Sequence, residues 1–224
     1  MTEATREEGR FVSVENLSKR FGAEWALARA SFRVEGGRLA LLTGSNGSGK
    51  TTLLRCLSTA LAPDFGSGSI CGFDLIADRE RIRRETATLT HPAGFYGGLT
   101  ARENLALAAD VLGLNLGGET DSVLSRVGLG DKPDLPLDTF SSGMKQRFAL
   151  ARLGLLHRNV VLLDEPETHL DATGLALLQT MISEWKARGA VIICATHSPE
   201  RFSRLADQEI RLTDGRPDAM NGPM

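Results

Sequence analysis

A glycine-rich segment early in the chain has the residue types and spacing needed to bind phosphate groups. Residues 44–51 read Gly-Ser-Asn-Gly-Ser-Gly-Lys-Thr, which fits the pattern Gly-x4-Gly-Lys-[Ser/Thr] between a predicted strand and a predicted helix. Such glycines let successive backbone N–H groups point at one anion, and the following helix adds the positive end of its dipole. We expect the Lys50 ammonium to contact the β- and γ-phosphates of a nucleotide and the Thr51 hydroxyl to ligate Mg²⁺. The predicted nucleotide-binding residues of this loop are Gly44, Ser45, Asn46, Gly47, Ser48, Gly49, Lys50, Thr51 and Thr52.

Two adjacent acidic residues follow a second apolar run. The segment 160–165 reads Val-Val-Leu-Leu-Asp-Glu. In a parallel sheet the C-terminal ends of the strands meet the ligand crevice, so both acids are expected beside the phosphate loop. Asp164 is then a candidate to hold Mg²⁺ through its water shell, and Glu165 a candidate to orient and deprotonate an attacking water. Acids in this position can instead cap the next helix, an alternative that the phosphate loop makes much weaker.

The elements that would position these residues alternate between strand and helix. Apolar runs or apolar–polar alternation predict strands at 11–17, 28–34, 38–43, 86–90, 159–164, 190–196 and 208–212. Helical signals lie at 50–61, at 79–85, after the capping box Thr100–Glu103, and around Trp185. The apolar residues around Trp185 recur at helical spacing, which predicts a core position for this side chain. This order predicts an α/β fold with a largely parallel sheet.

The same pattern predicts how the chain is organised. Between residue 101 and about residue 156 there are helical signals and loops but no convincing strand. We therefore expect a core at 11–91 and 157–212, an inserted helical lobe at 92–156 and a loose C-terminal tail at 213–224.

Composition excludes several other classes of protein. The 224 residues contain 26 Lys and Arg against 28 Asp and Glu, a net charge of −2, which argues against a nucleic-acid partner. The charged segment 79–85 mixes both signs and fits a solvated helix face better than a nucleic-acid patch.

No apolar run reaches the roughly 18 residues of a membrane span, and the charged N-terminus lacks a signal-peptide pattern. Three widely spaced cysteines predict neither a disulfide framework nor a zinc site, so we expect a cytosolic protein.

Further motifs resemble those of the ABC (ATP-binding cassette) ATPases. Residues 140–147, Phe-Ser-Ser-Gly-Met-Lys-Gln-Arg, look like the signature motif of that family, and Asp171 looks like the end of its D-loop. His197 looks like the switch histidine, and Phe21 looks like the aromatic residue that stacks on adenine. The resemblance extends over 12–212 and implies a P-loop NTPase core with a mixed, mostly parallel sheet and an inserted helical lobe.

The resemblance also implies roles for these residues. It assigns catalysis to Lys50, Glu165 and His197, nucleotide contact to Phe21 and Asp171, and it makes ATP and Mg²⁺ the cofactors. Residues of the signature motif would complete the ATP site of a second subunit, so that ATP drives the formation of a homodimer. The signature residues concerned are Ser141, Ser142, Gly143 and Met144.

Taken without the family, three of these residues also fit ordinary structural roles. Ser141 fits a helix N-cap, because serine is common there and the apolar stripe of a helix follows it. His197 fits a core or capping histidine, and Phe21 fits a core position.

The sequence departs from the family pattern at three positions. Ser142 replaces the second glycine of the signature, and Met144 replaces its glutamine. His91 lies where the family has the glutamine of the Q-loop. An imidazole can offer a lone pair to a metal-bound water, so His91 is a candidate metal ligand, although it is shorter than glutamine and titrates near neutrality. The His-Pro-Ala-Gly stretch at 91–94 is similar to the branch of the family that serves cytochrome c maturation.

The resemblance to ABC ATPases, together with the lack of a predicted membrane span, implies a separately encoded polytopic membrane subunit. The chain would then lie peripherally on the cytoplasmic face of the cell membrane. Asn104 and the loop 91–98, with Phe95 and Tyr96 as an apolar docking patch, lie where the family couples to that partner. Haem export in cytochrome c-type biogenesis is the first hypothesis for the cargo. Export of a lipid, drug or polysaccharide is the alternative, and a soluble ABC assembly ATPase is a third hypothesis.

Overall fold

The structure is a computed structural model, and it describes residues 9–90, 94–114, 116 and 118–217. The strands are β1 (Phe11–Phe21), β2 (Glu24–Glu35), β3 (Leu39–Thr43), β4 (Phe65–Ile70), β5 (Phe73–Asp74), β6 (Thr86–Leu89), β7 (Val160–Asp164), β8 (Val191–Ala195), β9 (Gln208–Thr213) and β10 (Arg216–Pro217). The α-helices are α1 (Lys50–Leu57), α2 (Arg79–Glu85), α3 (Ala101–Leu112), α4 (Thr120–Arg126), α5 (Ser142–Gly154) and α6 (Ala172–Ala187). Two compact units divide the chain: the first contains residues up to Thr88, Arg158–Glu165 and residues from Ile182, and the second contains Leu89–His157 and Pro166–Met181.

A largely parallel sheet forms the centre of the first unit. Its strand order is β10-β9-β3-β8-β7-β6, and β3 pairs in parallel with both β8 and β9, as β8 does with β7. Every residue of β3, β7 and β8 is buried, which is typical of parallel strands covered on both faces. Ala195 pairs with Leu42 on one side and with Asp164 on the other. The C-terminal ends of these three strands are therefore level, and the loops that follow them start at one edge of the sheet.

A smaller antiparallel sheet completes the first unit, in the order β2-β1-β4-β5. The β1–β2 ladder shifts register three times, and two non-glycine residues at the shifts, Asn16 and Arg29, have φ of 52° and 58°. Both strands are longer than the predicted 11–17 and 28–34 segments. The register shifts interrupt the apolar–polar alternation, so the pattern identifies only part of each strand.

The second unit contains α3, α4, α5 and the first part of α6, up to Met181, and it has an apolar core. Leu105, Leu124, Leu137 and Phe148 belong to this core, and each has no exposed surface. Helix α3 begins as predicted: the Thr100 hydroxyl accepts from the Glu103 N–H at 3.1 Å, and the Glu103 carboxylate accepts from the Thr100 N–H at 2.8 Å. This capping box satisfies two backbone donors at the start of the helix.

The structure agrees with the predicted α/β fold and differs from the sequence expectations in three details. Helix α1 ends at Leu57 rather than near residue 61. The tail is not loose between 213 and 217, because β9 extends to Thr213 and β10 pairs with it, while residues 218–224 lie outside the described residues. Residues 166–181 belong to the second unit, although the sequence placed them in the core.

Candidate active site

The phosphate loop connects β3 to α1, and two of its glycines are required by close backbone contacts. A Cβ atom on Gly44 would lie 2.3 Å from the Leu212 carbonyl oxygen, and one on Gly49 would lie 2.2 Å from the Ala26 carbonyl oxygen. Their φ values of 140° and 100° also lie in the region that favours glycine. These contacts hold the loop against β2 and β9, so its backbone is positioned by the first unit alone.

Lys50, the first residue of α1, folds its side chain back over this loop. Its Nζ donates to the Gly44 and Ser45 carbonyl oxygens at 2.8 and 3.0 Å, and the residue is 6% exposed. Burial lowers the pKa of this ammonium, while the charges of Glu165 and Asp164 act in the opposite direction. The buried cation therefore lies in the cradle that the sequence predicted for phosphate.

Thr51 and Asp164 meet beside the loop. The Thr51 hydroxyl donates to Asp164 Oδ2 at 2.9 Å, and Asp164 is 7% exposed. Among the described residues no group of three or more His, Cys, Asp or Glu side chains could hold a metal by itself. Two oxygen ligands that leave the other positions to phosphate and water fit Mg²⁺, which keeps several waters and binds substrate phosphates.

A second polar feature of the loop also fits a phosphate ligand. The Ser48 hydroxyl is buried without a hydrogen-bond partner in the described structure. Buried hydroxyls are usually hydrogen-bonded, so an unsatisfied one in a phosphate cradle is consistent with a ligand that completes it.

Glu165 and His197 form a pair at the ends of β7 and β8. His197 Nε2 lies 2.8 Å from Glu165 Oε1, and the two side chains are 38% and 39% exposed. The backbone of Glu165 has φ of 49°, and its N–H donates to the Ala195 carbonyl at 2.9 Å. A non-glycine residue in this conformation is strained, and such strain concentrates at functional sites. The pair leaves Glu165 Oε2 available to a water molecule.

Phe21 ends β1 and is 53% exposed. Lys19 Nζ lies 5.9 Å from its ring centroid. The ring is therefore not a core residue, and an exposed face is what stacking on a base requires.

The signature segment lies in the second unit at the start of α5. Ser141 is the N-cap, and its Oγ accepts from the Met144 N–H at 3.2 Å. Gly143 is required there, because a Cβ atom would lie 2.9 Å from the His169 carbonyl oxygen. Ser141 and Ser142 are exposed, so the N–H groups of this helix start face the surface of the unit.

Asp171 has partners within its own unit. Its Oδ1 accepts from the Gly174 N–H at 2.8 Å at the start of α6, and from Arg147 Nη2 at 2.5 Å. The hydrogen bond from the Gly174 N–H is the largest cause of a lowered pKa for this carboxyl, and the hydrogen bond from the Arg147 guanidinium is the second. The carboxylate of Asp171 is thus held by residues of its own unit.

Sequence reasoning missed Gln146 and misjudged the loop before α3. Gln146 is buried, and its Nε2 donates to the carbonyl oxygen of Pro166, the residue after Glu165, at 2.8 Å. A glutamine among the apolar positions of α5 was the available signal.

Phe95 packs edge-on against Phe148 with centroids 5.7 Å apart, so only Tyr96 of the predicted patch is exposed. His91 lies outside the described residues.

Asn104 has a structural role in that loop. It is 5% exposed, and its Oδ1 accepts from the Tyr96 N–H at 2.9 Å. Its Nδ2 donates to the carbonyl oxygens of Tyr96, Leu99 and Thr100. Asn104 therefore fixes the loop that exposes Tyr96.

This arrangement defines a class of protein before any comparison. Nucleoside triphosphate hydrolases combine a strand–loop–helix phosphate cradle and a buried lysine with a hydroxyl–carboxylate pair and a further acid at a strand end, as Lys50, Thr51, Asp164 and Glu165 are arranged in this chain. The described helices include none long and apolar enough to cross a membrane.

Comparisons with known proteins give the family. Residues 27–168 match the family model described as ABC transporter. The chain is 34% identical to the cytochrome c biogenesis ATP-binding export protein CcmA of Agrobacterium fabrum over 206 residues, 90% of this chain and 95% of that protein. It is 31% identical to the bacitracin transport ATP-binding protein BcrA of Bacillus licheniformis, over 92% of this chain and 67% of BcrA. A solved ATP-binding subunit of an ABC transporter superposes with a TM-score of 0.87 at 30% identity, covering 95% of this chain and 90% of that structure.

The chain therefore belongs to the ABC transporter ATP-binding proteins, and it is an ATP-binding subunit with ATPase activity.

Proposed function

We propose that this ATPase drives haem export in cytochrome c-type biogenesis. The near-complete match with CcmA carries the proposal, because the alignment covers 95% of that relative. The bacitracin transport protein BcrA also matches, at 31% identity over 67% of its length, so export of another cargo is the alternative.

In the mechanism we propose, ATP is the substrate and the phosphate loop positions it. The Lys50 ammonium exchanges its two carbonyl partners for phosphate oxygens, and Phe21 stacks on the adenine. Thr51 and Asp164 would hold Mg²⁺, which neutralises charge on the β- and γ-phosphates when it is bound.

Glu165 performs the proton transfer in this mechanism. A water oxygen attacks the γ-phosphorus, the bond to the β–γ bridging oxygen breaks, and Glu165 Oε2 accepts the proton of the water. The contact of His197 Nε2 with Oε1 at 2.8 Å supports the carboxylate in that orientation. The products are ADP and inorganic phosphate.

We propose that two copies of the chain complete each ATP site. The exposed N-terminus of α5, with Ser141 as its cap, can bind the γ-phosphate held by Lys50 of the other copy. Ser142, Gly143 and Met144 supply the neighbouring backbone, and Asp171 lies on the same unit.

A separate polytopic membrane subunit is the proposed partner, which would hold the chain on the cytoplasmic face of the membrane. Tyr96 is 65% exposed on a loop that buried Asn104 fixes, as a protein docking site requires. Replacing Tyr96 with alanine should reduce co-purification with a membrane protein in mild detergent. Phe65→Ala, which removes another exposed aromatic ring, is the matched control and should leave it unchanged. Equal recovery with both variants would contradict the docking role.

Genetic complementation tests the cargo. Deletion of the gene in its host should abolish covalently attached c-type haem, measured by haem staining of membrane proteins. The wild-type chain should restore it, and the Glu165→Gln chain should not. Normal c-type cytochromes in the deletion strain would refute the haem role and leave the ATPase assignment standing.

A further inference from the structure

An open cavity of about 750 Å³ lies in the first unit among β1, β2, β4 and β10. This volume falls in the range of small-molecule sites, which is roughly 300–1,000 Å³. Neither Phe21 nor any residue of the phosphate loop lines it. The cavity is therefore separate from the proposed ATP site.

Two exposed aromatic rings form one side of the cavity. Trp25 and Phe65 are 46% and 59% exposed, and their ring centroids lie 5.9 Å apart at an interplanar angle of 50°. Large aromatic side chains are normally more buried, and together these tilted rings form an apolar corner in which a flat ligand can stack on one ring and contact the other at its edge.

Two arginines line the same cavity, and none of the described residues that line it is acidic. In the described structure neither the Arg29 nor the Arg216 guanidinium has a hydrogen-bond or ion-pair partner. Arg216 reaches the cavity because the Ala28 N–H donates to the Gly215 carbonyl at 2.7 Å, which holds β10 beside β2. The cavity therefore combines an apolar corner with two uncompensated cations.

The position of Arg29 is fixed at a conformational cost. With φ of 58° it occupies a conformation that glycine, asparagine and aspartate favour, and arginine does not. Its N–H donates to the buried Ser18 Oγ at 2.9 Å, and that hydroxyl donates to the Asn16 carbonyl at 2.9 Å. These hydrogen bonds explain the backbone conformation of residue 29 but not why the residue is an arginine. An arginine guanidinium is planar and suited to binding an oxyanion in a bidentate manner.

We propose that this cavity binds a planar aromatic molecule that carries a phosphate or carboxylate group. The ring stacks on the Trp25 indole and contacts the tilted Phe65 ring at its edge, and the oxyanion pairs with Arg29 and Arg216. The site is a second ligand site, independent of ATP hydrolysis.

Flavin mononucleotide and riboflavin are matched probes, because they share one ring system and only the first carries a phosphate. Stacking on tryptophan quenches flavin fluorescence, which is excited where the protein does not absorb. We expect saturable quenching of flavin mononucleotide, with riboflavin at least about tenfold weaker, the change for roughly one lost charge-assisted contact. The Lys50→Ala chain should bind flavin mononucleotide as the wild type does, which separates this cavity from the phosphate loop.

Variants test each part of the site. The double variant Arg29→Ala/Arg216→Ala should remove the preference for flavin mononucleotide, and Trp25→Ala should weaken both probes. Arg33→Ala is the control, because Arg33 is also on β2 but pairs with Glu35 and stacks on Phe11 outside the cavity. ATP turnover of the double variant should equal that of the wild type, which also shows that it folds.

Three results would overturn the proposal. The first is the absence of saturable binding to the wild-type chain, and the second is equal affinity for the two probes. The third is loss of flavin mononucleotide binding in Lys50→Ala, which would place the probe in the ATP site.

Discussion

Replacing Glu165 with glutamine tests the proposed general base most directly. The change keeps the length and shape of the side chain and removes its capacity to accept a proton. The amide oxygen can keep the 2.8 Å contact with His197 Nε2, and both side chains are more than one-third exposed, so little packing is disturbed. We therefore expect ATP binding within about twofold of wild type, a difference below about 0.4 kcal/mol.

The expected loss in turnover follows from the removed proton transfer. General-base catalysis contributes roughly 10²–10⁴-fold, so kcat for phosphate release should fall at least about 100-fold, or about 2.7 kcal/mol in the activation barrier. ATP should then accumulate on a dimeric form, detected by size-exclusion chromatography with nucleotide.

Glu209→Gln is the matched control for this variant. Glu209 Oε1 accepts a hydrogen bond from the Thr43 hydroxyl at 2.6 Å, which the amide oxygen can also accept. Its kcat should stay within about twofold of wild type, because Glu209 lacks the proposed role in proton transfer. Turnover of Glu165→Gln within tenfold of wild type would refute the assignment of the base.

The other predictions concern binding, stability and thiol reactivity. Lys50→Ala should abolish measurable ATP binding in calorimetry; retained binding would contradict the role of its buried ammonium. Phe21→Ala should raise the Kd for ATP about tenfold, or about 1.4 kcal/mol, and an unchanged Kd would exclude stacking. Trp185→Ala should lower the free energy of unfolding by about 3–5 kcal/mol in denaturant titrations, because Trp185 is 2% exposed; a loss below about 1 kcal/mol would argue against its core role. Burial raises the pKa of Cys56 and of Cys71 to about 11. Only about one such thiol in a thousand is therefore ionised at about pH 8, and both should react with a thiol reagent far more slowly than free cysteine.

The residues around the phosphate were predictable because their chemistry and their spacing are local. The glycine loop lies within one segment, and the parallel sheet places Asp164 and Glu165 next to it without further information. The pairing of His197 with Glu165 required the register of β7 and β8, which the sequence does not contain.

Bulged strands and loop packing could not be predicted in the same way. The extra length of β1 and β2 depends on two hydrogen bonds between the strands, in which the Asn16 and Arg29 N–H groups, at residues of positive φ, donate to the Ser31 and Ser18 hydroxyl oxygens. Phe95 was assigned to an apolar docking patch because its loop lies where the family couples to its membrane partner, yet it packs on Phe148. Tertiary contacts decide both cases, and a one-dimensional pattern does not report them.

Asp171 shows how the single chain and the proposed dimer can be reconciled. Its carboxylate caps α6 and pairs with Arg147, and its side chain is 66% exposed. The Arg147 side chain is 17% exposed, but water reaches the carboxylate and screens the pair, so the pair can open without unfolding the helix. The Gly174 N–H uses only one oxygen of the carboxylate, which leaves the other for a second chain. The contact with Arg147 is therefore compatible with a nucleotide-dependent interface, and the variant Arg147→Ala should leave ATP binding by the single chain unchanged.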